Sequence, residues 1–585
     1  MGASGQEDWG EDCEEGASLV TQRIAVGIRA ESSYPRQVLD QLGISSVPVE
    51  SFEEGVAQGV RVFLWSGAHG QGEVVSMPGE QIAVITDATA RNGRAQGRGE
   101  VATRSYYFQL AGKSPFATHS FYANLPVWPA TGESFGACYD RANNEIANSG
   151  IGIIEREGLL LVSLPWDICA YEQGVDWRHR PYFSPTARKH FVEVGPMLDT
   201  GAFRRLLLEI LLFCFDRVGL PLVRVSPLYR NKRHFSFRVD ADGFTESSTE
   251  AGLRVAQKSG LRFTWFLDMG CWKKKGKWIA RLLKHNQDLQ FHCFRHMTYA
   301  SQEVNEINIR KGLAVMRRNG ITPNAIVSPL GYYCRGFSEA IKKHRFAFSS
   351  EFGYAVDDLP SYPWNDKSYP LQIPVHPACS GVLSRAGFSP TEQFDHLFDV
   401  IERRGSADGI CILYDHPIGG LEAHETQYVD FFSQLRSRPY EYICLSDYYR
   451  AWRERPQCPA ILFDRGTIEV DGFQDNGFRI EQVTNGSGTS VRWGDASLPL
   501  AILADGTEEF CYPPACVQDL ACKNDLLFVK QRNCTRFAWH VNEAYETLGR
   551  KAGYFRCRRL LGRFNWMRAA RDRIALRIRR RTGGR

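Results

Sequence analysis

The segment HFSFRVDADGF, residues 234–244, runs from a strand-like stretch into two aspartates one residue apart, followed by a glycine. Alternate side chains of a strand lie on the same face, so Asp240 and Asp242 can point to the same side of a strand end. Aspartate before glycine at such a place is more often part of a turn. The segment therefore has two interpretations, a turn or the beginning of a metal site, and the surrounding sequence must decide between them.

Seven further strand-like runs follow within residues 230–455, and helix-like stretches such as 305–320 and 392–405 lie between most of them. Repeated β/α units in a block of this length are typical of a (β/α) barrel. Polar residues stand at nearly every strand end, and in such barrels the carboxyl ends of the strands form the catalytic face. The sequence predicts a barrel with a site at that face.

Two histidines follow the next-but-one strand in LQFHCFRH, residues 289–296. His292 and His296 are four residues apart, a spacing that puts two imidazoles on one side of a helical turn, within reach of one metal ion. The spacing alone is common on protein surfaces. Combined with an aspartate at a neighbouring strand end it indicates a site with three protein ligands, which leaves coordination positions for water and substrate.

A third histidine ends the late apolar strand ICILYDHP, residues 410–417. In a closed barrel a late strand lies beside the first one, so His416 can face the two aspartates across the barrel mouth. A histidine there that is not needed as a ligand is a natural general acid. The alternative is a strand-end histidine bonded to the backbone.

The 585 residues are enough for several domains with substantial cores. We predict an α/β protein with a central barrel, flanked by an N-terminal α/β domain with a largely parallel sheet and by a small C-terminal β-sandwich. A basic helical tail follows. The predicted boundaries are an acidic disordered leader at 1–18, the N-terminal domain of unknown role at 19–228, the barrel at 229–456, the β-rich domain at 457–547 and the tail at 548–585.

The composition is that of a soluble globular protein, with 43% hydrophobic and 23% charged residues. The acidic N-terminus lacks the apolar core of a secretory signal. No apolar run approaches the ~18 residues that a membrane span needs. The 16 cysteines are scattered and form no CxxC pair, which favours reduced thiols in the cytosol. We therefore expect a cytoplasmic protein.

The net charge of +5 is unevenly distributed, because residues 550–585 hold 14 Arg and Lys against the single acid Asp572. Apolar residues recur there every three or four positions, and arginines fill the other face. This pattern is typical of a helix lying on an anionic membrane surface. A solvated or partner-binding helix is the main alternative, and a nucleic-acid arm is the least favoured. We expect peripheral contact with the inner membrane face.

Four motifs in the central part, RVDADG, HCFRH, IVSPLG and LYDHP, resemble in order and spacing those of the polysaccharide deacetylases of carbohydrate esterase family 4. The resemblance covers about residues 230–455. It implies a distorted (β/α) barrel of seven or eight strands and one divalent metal ion, usually zinc. It also implies removal of acetyl groups from N-acetylated sugars, or cleavage of related C–N bonds.

The resemblance also implies roles for individual residues. Asp240 would be the catalytic base and His416 the general acid. The backbone amide of Leu330, which follows a proline in the third motif, would lie near the forming oxyanion. The metal ligands would be Asp242, His292 and His296.

The third motif departs from the family pattern, which has an arginine shortly before the proline to orient the base. Val327 and Ser328 occupy those positions here. Arg238 or Arg295 could replace that arginine.

Three aromatic residues near the strand ends, Tyr332, Tyr333 and Trp364, are candidates for stacking on a sugar ring. Core packing is the alternative for each. For a further strand-end histidine, His376, substrate contact and packing are both open.

The favoured hypothesis is a metal-dependent deacetylase that acts on an N-acetylated sugar during glycan or surface-polysaccharide biosynthesis. A second hypothesis keeps the metal site but takes a non-sugar amide as substrate. A third is a deacetylase-like barrel without activity that serves as a scaffold, for which the missing arginine is the main support.

Overall fold

The structure is a computed structural model, and it describes most of residues 22–65, 80–87, 103–166 and 177–483. The predicted leader at 1–18 and the predicted basic tail at 548–585 lie outside the described residues. So do residues 484–547 of the predicted β-sandwich. The predictions for these segments stay predictions.

The part before the central motifs contains a seven-stranded sheet in the order β10-β13-β14-β5-β4-β2-β3. Its five strands from β3 to β14 are parallel, and β13 and β10 are antiparallel. Whether residues 19–228 form a separate domain stays a prediction. The strands are β1 (Gln22–Arg23), β2 (Val26–Arg29), β3 (Ser46–Val49), β4 (Val62–Trp65), β5 (Ile82–Asp87), β6 (Thr103–Arg104), β7 (Tyr107–Gln109), β8 (Ser120–Tyr122), β9 (Pro126–Val127), β10 (Glu133–Phe135), β11 (Ala137–Tyr139), β12 (Glu145–Ile146), β13 (Ile151–Arg156), β14 (Leu159–Leu164), β15 (Trp177–Ser184), β16 (Lys189–Pro196) and β17 (Leu222–Val225).

Three helices accompany these strands: α1 (Ser33–Leu42), α2 (Phe52–Ala57) and α3 (Thr200–Arg217). Helix α3 holds the most apolar run of the chain and is buried along most of its length, in the same core as the inner strands of the seven-stranded sheet. None of the helices in the described part of the chain is both long and apolar enough to cross a bilayer.

The central motifs lie in an eight-stranded sheet whose pairings are all parallel. Its order is β23-β22-β21-β20-β19-β18-β24, and β25 also pairs with β18. The strands are β18 (Arg233–Ala241), β19 (Thr264–Asp268), β20 (Asp288–Cys293), β21 (Ala325–Ile326), β22 (Phe348–Ser349), β23 (Leu371–Gln372), β24 (Ile410–Asp415) and β25 (Tyr440–Tyr442).

Helices join most of these strands, as is typical of a (β/α) pattern, and only a short 3-10 turn, Pro363–Asn365, lies between β22 and β23. The helices are α4 (Glu246–Ser259), α5 (Met269–Trp272), α6 (Gly276–Lys284), α7 (Gln302–Arg318), α8 (Arg335–Lys343), α9 (Ser380–Arg385), α10 (Pro390–Asp408), α11 (Glu425–Arg436) and α12 (Leu445–Arg453). Local sequence sets their ends. Helix α10, for example, begins with a capping box between Ser389 and Glu392 and ends at Gly409, whose φ is 76°.

The predicted barrel is confirmed as a curled parallel α/β sheet, but its ring is incomplete. Strands β23 and β24 form no ladder, and the chain bridges this gap after β23, where the His376 N–H donates to the Ile412 carbonyl at 2.9 Å. Strand β18 pairs with β19, β24 and β25 and is buried from its second residue onward, as a parallel strand covered on both faces should be. The two aspartates of the opening segment thus lie at the carboxyl end of this buried strand.

The described strands after the barrel are β26 (Ile461–Asp464), β27 (Thr467–Val470) and β28 (Ile480–Val483). Strand β26 pairs with β1 and β27, and β28 pairs with β17. The first strands of the predicted β-rich segment therefore pair with strands that precede the barrel in the sequence.

Candidate metal centre and active site

The three predicted metal ligands meet at the carboxyl ends of β18 and β20, the two strands that flank β19. Asp242 directly follows β18, His292 is the next-to-last residue of β20, and His296 lies in the turn after it. The His292 Nε2 atom lies 2.8 Å from Asp242 Oδ1, and the His296 Nε2 atom lies 3.0 Å from Asp242 Oδ2. One donor atom from each residue lies within 4.8 Å of the other two. The structure thus brings all three together.

The donor atoms fit a cation. Asp242 Oδ1, His292 Nε2 and His296 Nε2 are buried, yet none makes a hydrogen bond of normal geometry. Buried polar atoms are nearly always paired, so unpaired donors that face one another need a common partner. The Nδ1 atom of His292 lies 2.9 Å from the Val327 carbonyl oxygen. Metal-binding histidines usually bond their second ring nitrogen in this way, and the contact leaves Nε2 available for a metal ion. One aspartate and two imidazoles suit zinc or a similar divalent ion.

The electrostatics of the cluster agree with this fit. Burial raises the pKa of Asp242, but the charges of His296 and His416 outweigh burial and hold that pKa well below its usual range. Burial lowers the pKa of His292, but the Asp242 carboxylate raises it to about 9. The ionised carboxylate thus draws positive charge toward it, which a divalent cation would supply.

The predicted base, Asp240, is held by Arg238 from the same strand. The Arg238 Nη2 atom donates to Asp240 Oδ2 at 2.8 Å, and its Nη1 donates to the Ser350 carbonyl. The guanidinium is buried and lies over the Tyr414 ring, 4.9 Å from its centroid. Asp240 Oδ1 is buried without a hydrogen-bond partner and stays open to a water molecule or substrate.

Arg238, one of the two candidates to replace the missing third-motif arginine, thus contacts Asp240 directly. Residues i and i+2 of a strand share a face, so Arg238 can reach Asp240 directly. Ser328, which stands in the usual place of that arginine, instead donates from its N–H and its hydroxyl to Glu351, at 2.7 Å each. The pKa of Glu351 is raised above its usual value, because burial outweighs the opposing effects of Arg238 and of the hydrogen bonds from Ser349 and Ser328.

His416 directly follows β24 and faces the candidate metal ligands. Strand β24 pairs with β18, as predicted for a late strand that lies beside the first one. The Nε2 atom of His416 lies 3.4 Å from Asp242 Oδ2, and its side chain is 30% exposed. Burial lowers the pKa of His416, but Asp242, Asp415 and Cys379 together raise it well above its usual range.

The far side of His416 contacts a polar cluster around Asp415. Asp415 Oδ1 accepts the His416 N–H at 2.7 Å and lies 3.6 Å from its Nδ1. Asp415 Oδ2 accepts the Ser380 N–H at 3.2 Å and the Tyr428 hydroxyl. The Cys379 Sγ, an Asp415 oxygen and a His416 nitrogen lie within 4.8 Å of one another. These contacts fix the ring of His416.

Leu330 lies in a tight turn, Pro329–Gly331, with a positive φ of 63°. Positive φ is uncommon for a residue with a branched side chain and often marks a functional position. The next residue must be glycine, because a Cβ on Gly331 would lie 2.1 Å from the Phe352 ring. The turn leaves the Leu330 side chain 48% exposed. The role of its amide at the oxyanion stays a prediction.

The three aromatic candidates lie in different surroundings. Tyr333 is fully buried, and its hydroxyl pairs with Ser338 at 2.7 Å, so its ring offers no face to a sugar. Tyr332 is covered by Trp177, with ring centroids 4.1 Å apart. Trp364 lies against Tyr369 at 4.8 Å. A stacking role for Trp364 stays a prediction.

Two signals for the supporting residues were present in the sequence. Arg238 and Asp240 share a strand face by spacing, and Asp415 stands beside the predicted general acid. No signal in the sequence predicted that Cys379 and Tyr428 lie close to Asp415, because both residues come from segments that only the fold brings together.

No protein-family model matches this chain, and no curated protein does. Among solved structures, it is similar to a proposed polysaccharide deacetylase from Mycobacterium smegmatis, at 12% identity and a TM-score of 0.33, over 39% of this chain and 93% of that one. It is also similar to a family 4 acetyl xylan esterase from Clostridium thermocellum in complex with a cobalt ion, at 15% identity and a TM-score of 0.28, over 38% of this chain and 93% of that one.

A carbohydrate esterase family 4 pseudoenzyme from Bacillus anthracis is similar at 10% identity and a TM-score of 0.29, over 38% of this chain and 66% of that one. Each of these similarities covers 38–39% of this chain, which is about the extent of the segment that carries the four central motifs.

Proposed function

We propose that this chain is a metal-dependent deacetylase that hydrolyses the N-acetyl group of a sugar during glycan or surface-polysaccharide biosynthesis. The observation that carries the proposal is the convergence of Asp242, His292 and His296, with unpaired donor atoms, beside a candidate base, Asp240, and a candidate acid, His416. A pocket with these three functions suits the hydrolysis of an amide.

Asp242, His292 and His296 would hold the cation, and zinc is the ion that we favour. Bound there, a divalent ion would supply a Lewis acid for the acetyl carbonyl oxygen and would acidify water. Three protein ligands leave room for substrate and water.

The proton transfers belong to two side chains. Asp240 Oδ1 accepts the proton of the attacking water, while Arg238 holds the other carboxylate oxygen and so fixes the orientation of the base. His416 Nε2 then donates a proton to the departing nitrogen, because an amine leaves poorly without one. The Leu330 amide would donate to the carbonyl oxygen as negative charge develops on it.

The inactive-scaffold alternative rested on the missing arginine, and the contact between Arg238 and Asp240 weakens it. The non-sugar amide alternative has no observation in its favour. We further propose, on the sequence alone, a cytoplasmic location with residues 550–585 at the inner membrane face. Deletion of these residues should abolish membrane association, and an unchanged distribution between membrane and soluble fractions would contradict that placement.

Metal analysis and acetate release test the proposal directly. The purified full chain should hold about one zinc or similar ion and should release acetate from N-acetylglucosamine oligomers. The Asp240→Asn variant is the matched control, because it removes the base and leaves all three ligands. It should keep the metal and lose the activity. A wild-type chain that binds no metal after supply of zinc and cobalt would overturn the proposal.

A further inference from the structure

A run of lysines lies in the connection that follows β19, in the sequence CWKKKGKW at residues 271–278. Residues 269–287 hold six lysines and arginines and no acidic residue. Four of these lysines stand within five positions, and we call them the lysine run: Lys273, Lys274, Lys275 and Lys277. Neither the candidate metal centre nor the proton transfers described above involve them.

The lysine run lies at the catalytic edge of the sheet. Strand β19 lies between β18 and β20, whose carboxyl ends carry the candidate metal ligands. Both of its pairings are parallel, so the residues that follow β19 emerge at the same edge as those ligands. Helix α5 begins directly after β19, and the lysine run begins directly after α5. The run is therefore part of the rim of the candidate site.

Hydrogen bonds tie the base of the lysine run to the backbone around Asp242. The fully buried Trp272 donates from Nε1 to the Ala241 carbonyl at 3.3 Å and to the Gly243 carbonyl at 3.2 Å. These two residues flank Asp242 in the sequence. The Cys271 Sγ atom lies 3.4 Å from the Asp242 carbonyl oxygen. The lysine run thus starts beside the backbone that carries a candidate metal ligand.

Aromatic contacts anchor the rest of the run to the same segment. The Phe244 ring packs edge-on against Trp272 and Trp278, with centroids 5.0 and 6.1 Å apart. Trp278 follows the last lysine of the run. Lys275 Nζ lies 4.2 Å from the Phe244 ring centroid, a cation–π contact. The run is therefore held at both ends and in its middle.

The positive charge of the run is not neutralised by carboxylates of the described chain. Two glutamates of helix α4 contact this segment, but each bonds another residue. Glu246 accepts from Trp278 Nε1 at 3.2 Å, and Glu250 accepts from Arg281 Nη2 at 2.6 Å. Within the described ranges, none of the four lysines forms an ion pair. Three of them are exposed to solvent, Lys273, Lys274 and Lys277.

The residue type indicates the kind of group that the run binds. A lysine ammonium is a compact charge with three donors on a flexible stem, which suits phosphate and carboxylate groups without fixing one geometry. Because the run is anchored beside the candidate metal ligands, an anion that it holds belongs to the molecule that enters the site. The lysines lie at the rim and not among the ligands, so that anion lies beside the reacting acetyl group and not at it.

We propose that Lys273, Lys274 and Lys277 bind phosphate or carboxylate groups of an anionic glycan, on a unit next to the one that is deacetylated. This inference rests on the proposed deacetylase function and names its substrate class. A glycan of this class is drawn to the site by charge, so its kcat/KM falls as salt screens the lysines. A neutral glycan lacks this attraction.

Acetate release from paired probes tests the substrate class. The carboxylate probe is a tetramer in which N-acetylglucosamine alternates with glucuronic acid, and the phosphate probe is an N-acetylglucosamine dimer with a phosphate at its reducing end. Each has a neutral N-acetylglucosamine oligomer of the same length as its counterpart. In about 0.02 M salt, kcat/KM should be ~10-fold or more higher for at least one acidic probe than for its counterpart. The favoured probe identifies carboxylate or phosphate. Equal values within both pairs would overturn the inference.

Salt and charge-removing variants assign this preference to the lysine run. The ratio of acidic to neutral kcat/KM should fall toward one in about 0.5 M salt, and also in the triple variant Lys273→Gln, Lys274→Gln, Lys277→Gln. The matched control removes three exposed lysines that precede strands of the same sheet and so lie at its opposite edge: Lys232→Gln, Lys284→Gln and Lys343→Gln. The control should keep the wild-type ratio. An equal loss in both triple variants would reflect net charge alone and would overturn the inference.

Calorimetric titration of the acidic probes into an Asp240→Asn background separates this inference from the proposed function. Weaker binding when the lysine triple is added to that background supports the contact, even if the wild-type chain releases no acetate. Unchanged binding overturns the inference and leaves the deacetylase function standing where acetate is released. Vesicles that contain anionic lipid are a further probe. If the lysine triple releases such vesicles while the acidic probes never bind, the run is a membrane contact and the inference is overturned.

Discussion

Two clusters of one aspartate and two histidines lie in the central part of the molecule, and they are connected differently. In the first, Asp242, His292 and His296 direct one donor atom each toward a common point, and the donors lack normal hydrogen bonds. In the second, Asp357, His376 and His396 form a chain. The Asp357 Oδ2 atom bonds His376 Nδ1 at 2.8 Å, and His376 Nε2 lies 3.3 Å from His396 Nε2.

The difference lies in how the imidazole nitrogens are used. Both ring nitrogens of His376 are bonded within the second cluster, to Asp357 and to His396. This cluster therefore leaves no set of three donor atoms to surround an ion. In the first cluster, His292 bonds the Val327 carbonyl through Nδ1 and directs Nε2 toward the other two candidate ligands. The same residue types therefore give a candidate metal centre in one place and a hydrogen-bond chain in the other. His376, for which substrate contact and packing were both open, is buried and bonded in that chain.

Loss of a ligand from the first cluster should have the largest effect. Asp242→Ala removes the only carboxylate among the three ligands and leaves two imidazoles, so the metal content should fall from about one ion per chain to near zero. Acetate release should fall with it. Asp357→Ala is the matched change in the second cluster and should leave the metal in place. Equal metal loss in both variants would remove the distinction between the clusters.

Loss of the general acid should come next. His416→Ala should keep the metal, because His416 is not one of the three ligands, and should lower amide hydrolysis by about 10²- to 10⁴-fold. Hydrolysis of a nitrophenyl acetate should fall much less, since nitrophenolate leaves without a proton. An equal loss on both substrates would instead assign His416 a role in binding or positioning.

Most of the first cluster could be predicted because its residues follow strands directly. The period of two along β18 and the four-residue spacing of His292 and His296 place donors on known faces. Cys379 could not be predicted in this way. It belongs to a segment outside the motifs, and only the tertiary packing brings its Sγ close to His416.

The barrel was predictable as repeated β/α units, but the lengths of its strands were not. Strands β21, β22 and β23 have only two residues each, so the ring remains open beside β23. The last of the strand-like runs noted in residues 230–455, YICLSDYY at 442–449, was predicted as a strand but forms mostly helix α12. Leu445, Tyr448, Tyr449 and Trp452 are all buried, and this spacing of three and four is that of one helix face.

Removal of Arg238 should cost stability as well as activity. Arg238→Ala leaves the buried Asp240 charge without its partner, and breaking a buried ion pair in this way costs about 3–5 kcal/mol. The control is Arg254→Ala, which breaks a surface pair with Glu425 and should cost about 0–1 kcal/mol. Urea denaturation measures both. Similar values for the two variants would contradict the assignment of Arg238 as the anchor of the base.

The smallest expected effect concerns the pH dependence of the second cluster. Burial holds the pKa of His396 well below its usual range, with further lowering by His376 and Arg403 and an opposing effect of Asp357. The unfolded chain therefore binds a proton at His396 below about pH 6.5 that the folded chain does not, so the free energy of unfolding falls as the pH drops through that value.

The variant His396→Phe should lower the free energy of unfolding by about 1–3 kcal/mol at pH 8, because His376 loses its hydrogen-bond partner. That cost should shrink toward pH 5.5, since the variant lacks the proton uptake, and the metal content should not change. A cost that stays constant with pH would mean that His396 is not held neutral in the fold.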